Sequence, residues 1–270
     1  MTEGKNQKQR FWTVLFFVFL FLLIFCLGFL IFRYLDTRKR AEIYEELSSE
    51  SIETETEVKR ETAAETTEPV QETEEEPEIP VDFEALWEIN KDIYAWIEIP
   101  DTPVAYPIVQ SPSDDSYYLD HTIEGESGYP GSIYTESLNS RDFTDGNTLV
   151  YGHNMRDDTM FGSLNEYADR AYMEEHPFIF VYTPEKILRY RIFAAITYDD
   201  RHILKSYDFT DRDQYQAFLD SLYSRRAMGS CILEEVSVSP EDRLLTLSTC
   251  VGDGKNNKRF LVEAVLTDES

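Results

Sequence analysis

The chain has 270 residues, enough for one domain with a real core plus a separate segment, and carries 52 acidic against 25 basic residues, a formal net charge of −27 at pH 7. A surface this acidic argues against nucleic acid as a partner, because neutralising phosphates needs clustered Lys and Arg. No pair of His or Cys has zinc-site spacing and no acidic loop follows the calcium helix-loop-helix pattern, so no metal or other cofactor is expected.

Residues 1–10 are short and basic, with Lys5, Lys8 and Arg10, and read as a tail before an uninterrupted apolar run from Phe11 to Phe32. At 1.5 Å per residue that run is long enough to cross a hydrocarbon core of about 30 Å. Bulky Phe, Leu and Ile continue to its end without a small-residue cleavage site, so 11–32 reads as an uncleaved transmembrane signal anchor. Arg33, Arg38, Lys39 and Arg40 follow it, and with basic residues on both sides the positive-inside rule does not choose an orientation. Residues 33–80 are expected to form an acidic, disordered stalk, helical for a turn or two over 37–47 at most. From Ser49 to Glu78 Glu dominates, bulky apolar residues are almost absent, and like charges repel. A spacer and a merely solubilising linker both fit.

From residue 81 onward about 190 residues rich in Tyr, Phe, Ile, Leu and Val are expected to build one domain. Asp82 is placed to cap a helix with an apolar face of Phe83, Leu86, Trp87 and Ile89. Strands are expected at Trp96–Ile99, Val104–Val109, Gly131–Thr135, Thr148–Gly152, Phe178–Tyr182, Leu188–Tyr198, Leu244–Cys250 and Arg259–Leu266. That set predicts a mostly β, eight-stranded barrel. Helical inserts are expected at Ser113–Leu119, Phe161–Met173 and Arg212–Arg226, the last with Tyr215, Phe218, Leu219 and Leu222 at amphipathic spacing between the sixth and seventh strands.

Chemistry enters at Arg243–Arg259. Leu245, Leu247 and Thr249 alternate with Thr246, Ser248 and Cys250, and Gly252 and Gly254 then break the extended run, leaving Cys250 at a strand end. Arg259 opens the next strand and brings a fixed positive charge toward the sulfur. A thiol nucleophile needs a proton-exchange partner, and His153 occupies the matching place, at the end of an apolar strand just after Gly152. Taken singly, Cys250 reads as a core hydrophobe, His153 as a satisfied strand-end residue and Arg259 as an edge charge.

Taken together, Tyr151-Gly-His153-Asn-Met, Thr246-Leu-Ser-Thr-Cys250 and Arg259 resemble the sortases, in their class B branch, over roughly 81–270. The resemblance implies a cysteine transpeptidase of the endopeptidase type on the outer face of a Gram-positive cell membrane, single-pass with the amino terminus inside. It implies Cys250 as nucleophile, His153 as general acid and base and Arg259 as oxyanion stabiliser. The thioacyl intermediate would form on cleavage after Thr of an Asn-Pro-x-Thr-Asn-like or Pro-x-Thr-Gly-like motif. The partners implied are surface proteins with a C-terminal sorting signal and an amine acceptor, from peptidoglycan or a pilin lysine; cell-wall anchoring and pilin polymerisation both stay open. The 212–226 helix resembles the class B insertion that walls the substrate groove.

Substrate contacts implied by the same resemblance are Asp115, where the family has asparagine, Leu119, Tyr151, Ser248 and Thr249, with Tyr198–Phe209 completing the groove. Independently of the family, Tyr151 and Ser248 alternate with His153 and Cys250 and so share their face. None of the other histidines is expected to be catalytic: His121 reads as a structural hydrogen-bonding residue, His176 stands before Pro177 at a helix end and His202 sits in a charged loop; Cys231 is expected to be a free, buried thiol. A cysteine phosphatase would need its arginine closely after the cysteine, and an inert membrane-tethered binding module would not need all three residues.

Overall fold

The computed structural model describes residues 12, 15–32, 35, 44, 79–225, 229–252, 254 and 257–270. The chain divides into two units, residues 1–43 and 44–270. In the first, Leu15–Phe32 is an apolar helix of 18 residues, about 27 Å long and a candidate membrane span. Residues 1–11 and almost all of the expected stalk lie outside the described residues; Tyr44, which falls within that stretch, is buried in the second unit.

In the second unit apolar runs build the strands, most of them buried along their length and β5 alternating, and the strands close on themselves. The elements are α1 (Phe83–Ile89), β1 (Ile93–Glu98), β2 (Ala105–Val109), β3 (Ile133–Thr135), β4 (Asn147–Tyr151), α2 (Arg170–Glu175), β5 (Phe178–Tyr182), β6 (Ile187–Asp199), α3 (Ile203–Ser206), α4 (Arg212–Tyr223), β7 (Cys231–Ile232), β8 (Leu244–Cys250) and β9 (Lys258–Glu269). Eight strands run in the order β5-β1-β2-β3-β4-β8-β9-β6, and β5 pairs with β6 to close the barrel. The two-residue β7 is an addition on β6, where Ala194 and Ala195 meet Ile232 and Cys231. All eight expected strands are present, and α3 and α4 lie between the sixth and seventh strands of the barrel.

Several boundaries differ from the sequence reading, with β9 running on to Glu269 and β3 starting at Ile133. β1 starts at Ile93 because Ile93 through Ile97 are all buried, so the period-two signature is missing there. Only Tyr117–Leu119 of the expected 113–119 helix turns, as a 3-10 segment. Ser111 and Asp114 side chains accept from the amides of Asp114 and Ser116 and compete with helical bonding. The 161–173 helix is instead a 3-10 segment, Ser163–Ala168, and α2, divided at Asp169, whose side chain caps α2 by accepting from Ala171 N–H.

α4 is held by an Asp211 cap on the amides of Asp213 and Gln214. Its buried face of Tyr215, Phe218, Leu219 and Leu222 packs on Leu149, Phe193, Ile196, Leu244 and Leu261 of the barrel. Each such side chain contributes roughly 1.5–3 kcal/mol by leaving water. Glu263, in the same layer between Leu261 and Val265, is fully buried. Thr246 Oγ1 stands 2.7 Å from Glu263 Oε2 and 3.0 Å from Asn147 Oδ1. Burial pushes the Glu263 carboxyl up to about 8, so near neutrality it holds a proton.

Candidate active site

Strand register places the three chemically notable residues side by side. β4 and β8 are parallel neighbours with Tyr151 opposite Ser248. Two residues further on, His153 and Cys250 leave the same end of the sheet. β8 and β9 are antiparallel with Cys250 opposite Arg259. Histidine, cysteine and arginine therefore stand in a row on consecutive strands, whose spacing is about 4.8 Å.

The row is braced by main-chain and side-chain bonds. Gly152 N–H donates to the Ser248 carbonyl at 3.1 Å. Thr249 Oγ1 donates to the Gly152 carbonyl at 2.8 Å. Asn154 Nδ2 donates to the Cys250 carbonyl at 2.7 Å, and Asn165 Nδ2 in turn donates to Asn154 Oδ1 at 3.0 Å. The segments carrying His153 and Cys250 are thus tied directly to each other.

His153 Nε2 lies 2.6 Å from the Leu119 carbonyl. A carbonyl only accepts, so Nε2 carries a hydrogen and Nδ1 is the nitrogen whose protonation state is open. The imidazole also lies 4.8 Å from the ring of Tyr129, which is exposed. Gly131, with φ +67°, sits so close that a Cβ there would stand 3.2 Å from His153 Cδ2 and 2.6 Å from the Leu119 oxygen. Beyond the thiol, a Cβ on Gly254 would come within 3.4 Å of Cys250 Sγ, so the loop passes closely over the sulfur.

Two cavities meet at this row. One, of about 250 Å³, includes Tyr134, Tyr151, Ser248, Leu261, Ile203, Leu119 and Thr249 in its lining. The other, of about 870 Å³, lies toward Tyr129, Asn154, Arg156, Asp157 and Gly252. Both are bounded by His153, Cys250 and Arg259. Tyr134 and Tyr151 stack at 5.3 Å; burial, with Glu136 adding to it, pushes both hydroxyls up, so they stay neutral. Among the described residues no group of three or more His, Cys, Asp or Glu side chains is arranged to hold a metal ion.

Of the residues singled out in the sequence, Cys250, His153, Arg259, Ser248, Tyr151, Leu119 and Thr249 all border the smaller cavity. Asp115 does not line it; its carboxylate accepts from Ser137 N–H at 2.7 Å. His121 Nδ1 lies 2.9 Å from the Tyr117 carbonyl and its ring stacks on Tyr117. His176 caps α2. Cys231 is buried beside Met173, and burial pushes its thiol up. His202, in the loop that follows β6, also lines the groove, with its Nε2 2.6 Å from a Glu136 carboxylate oxygen. Glu136 was legible in principle, since it follows Tyr134 at strand period and shares its face.

A sortase-domain family profile matches residues 97–267. The chain is 35% identical over 166 residues to sortase B of Listeria monocytogenes, covering 61% of this chain and 65% of that protein. It is 34% identical over 185 residues to sortase B of Staphylococcus aureus, covering 67% of this chain and 73% of that protein. A solved Staphylococcus aureus sortase B–substrate complex superposes with a TM-score of 0.66 at 28% identity, covering 86% of this chain and 98% of the other. Family profile, relatives and barrel agree, and the chain belongs to the sortase family, a family of cysteine transpeptidases, in its class B branch.

Proposed function

We infer that this chain is a membrane-tethered transpeptidase that cleaves a sorting motif after threonine and joins the new carboxyl end to an amine of peptidoglycan. The observation that carries the reading is the row His153, Cys250, Arg259, which bounds two adjoining cavities at once. An acyl-transfer enzyme with two substrates needs a nucleophile reachable from both.

The Cys250 thiolate, beside protonated His153, attacks the threonine carbonyl carbon. The carbon–sulfur bond forms, the oxygen gains charge, and the Arg259 guanidinium stabilises it. As the carbon–nitrogen bond breaks, His153 gives its proton to the leaving amine. The incoming amine then attacks the thioester, His153 takes a proton back, and the thiolate leaves; with water in place of the amine the outcome is hydrolysis. The smaller cavity suits the sorting peptide, with Tyr151, Ser248, Leu119 and Thr249 along it, while Asp115 acts by shaping the loop through Ser137. Asp120 and Asp157 in the larger cavity suit a cationic amine. The apolar helix Leu15–Phe32 anchors the chain with its amino terminus inside and the domain outside, separated by the acidic segment.

The test is mass spectrometry of the full chain in detergent with peptides carrying Asn-Pro-x-Thr-Asn or Pro-x-Thr-Gly, against Cys250→Ala. A thioacyl adduct on Cys250 and a cut after threonine support the reading, and a triglycine or a lysine-bearing peptide as acceptor separates wall anchoring from pilin joining. Cleavage persisting in Cys250→Ala would overturn it.

A further inference from the structure

Tyr44 is the only aromatic residue between positions 36 and 80, a stretch otherwise given over to charge, yet it is 4% exposed. Its hydroxyl donates to the Gly131 carbonyl at 2.7 Å, receives Ile123 N–H at 3.4 Å and meets Ser132 Oγ at 3.3 Å. These partners belong to the loop that begins at Leu119, whose carbonyl holds His153 Nε2, and that presses Gly131 against the imidazole. The ring of Tyr44 stands edge-on to Tyr106 at 5.7 Å. Tyr106 Oη accepts from Met160 N–H at 2.8 Å, and the next amide, Phe161 N–H, donates to the His153 carbonyl at 3.0 Å.

One side chain from outside the barrel thus braces both segments that hold His153. The hydroxyl secures the loop over the imidazole, and the ring secures the turn behind its main chain. Burial pushes the Tyr44 hydroxyl up to about 12, so it remains a neutral donor.

We propose that Tyr44, in the segment between the apolar helix and the barrel, is a positioning residue for His153. The inference rests on the reading of His153 as the proton carrier. It makes a residue that precedes the barrel a working part of the active site, where a passive linker residue would only add stability.

Tyr44→Phe is the discriminating variant, because it keeps the ring on Tyr106 and removes only the hydroxyl. In the full chain in detergent, Cys250 alkylation by iodoacetamide is followed by mass spectrometry from mildly acidic to mildly alkaline pH, which needs no peptide substrate. Wild type and His153→Ala are expected to give different rate–pH profiles. Tyr44→Phe is expected to fall between them with Cys231 still unmodified, and to lower kcat on an Asn-Pro-x-Thr-Asn peptide about fivefold at unchanged KM, the factor one lost hydrogen bond supplies. Tyr106→Phe, which frees only the Met160 amide, reads the other brace and is expected to move the profile the same way. Superposition of both tyrosine variants on wild type, with His153→Ala distinct, overturns the positioning role alone. Identical profiles for wild type and His153→Ala overturn the role of His153 and the inference together.

Discussion

Replacing Glu263 by glutamine should make the domain more stable near neutral pH and slightly less stable in acid. The carboxyl is fully buried, with Thr246 Oγ1 on one oxygen and no hydrogen-bond partner on the other among the described residues. Thr246 has one hydroxyl hydrogen but lies within reach of two acceptors, Asn147 Oδ1 and Glu263 Oε2. A protonated Glu263 resolves this by donating to Thr246, which then donates to Asn147. Burial raises the carboxyl from 4.5 to about 8. Between those values the folded chain keeps a proton that the unfolded chain has released, so stability falls as pH rises. At about 1.36 kcal/mol per unit the loss is roughly 3 kcal/mol by pH 7 and roughly 5 kcal/mol once both states are ionised. Tyr215, the packed neighbour in the same layer, feels this charge, and its own hydroxyl is pushed up by burial first and by Glu263 second. Glu263→Gln keeps shape and donor but cannot ionise, and leaves one amide hydrogen unpaired at a cost of about 1 kcal/mol. Thermal unfolding across that pH range should therefore give crossing curves. The variant's Tm gains on wild type by roughly 6–12 °C between acid and neutral pH, at roughly 2–4 °C per kcal/mol for a domain of this size. Parallel curves would refute the reasoning, because they would mean that Glu263 is equally ionised folded and unfolded.

Other expectations concern the braces and the groove. Asn154→Ala removes the bond to the Cys250 carbonyl and should lower kcat about fivefold to tenfold with KM little changed, read by steady-state peptide cleavage. Arg259→Lys retains charge but not the planar fork, and should lower kcat/KM by about tenfold or more in the same assay. Phe218→Ala empties a fully buried site between α4 and the barrel and should cost about 3–5 kcal/mol in denaturant unfolding.

The barrel was legible because most of its strands obey local rules. Alternation in β5 and β6, the Gly-rich break after Cys250 and the Asp82 cap are written within a few residues each. What escaped was decided elsewhere in the chain. Nothing near Ile93 announces that β1 will be covered on both faces. The turn at Tyr117–Leu119 stays a single 3-10 segment because of side chains that precede it.

The site divides along the same line. Cys250, His153 and Arg259 show in the sequence because each sits at a strand end with a local signature. Their supports do not show, because they depend on which strands become neighbours. β4 and β8 are parallel, so the chain between them must make a long crossover. That crossover supplies β5, β6, α4 and the loop carrying Asp199, Arg201 and His202, which becomes one wall of the groove. Once β3 pairs with β4, Tyr134 and Glu136 are carried to the opposite wall, and only then can Glu136 meet His202. A parallel pairing that levels His153 with Cys250 therefore fixes more than the reacting pair. It obliges the protein to build its substrate walls from the crossover, and to brace the histidine from outside the strands, through Leu119, Asn154 and Tyr44.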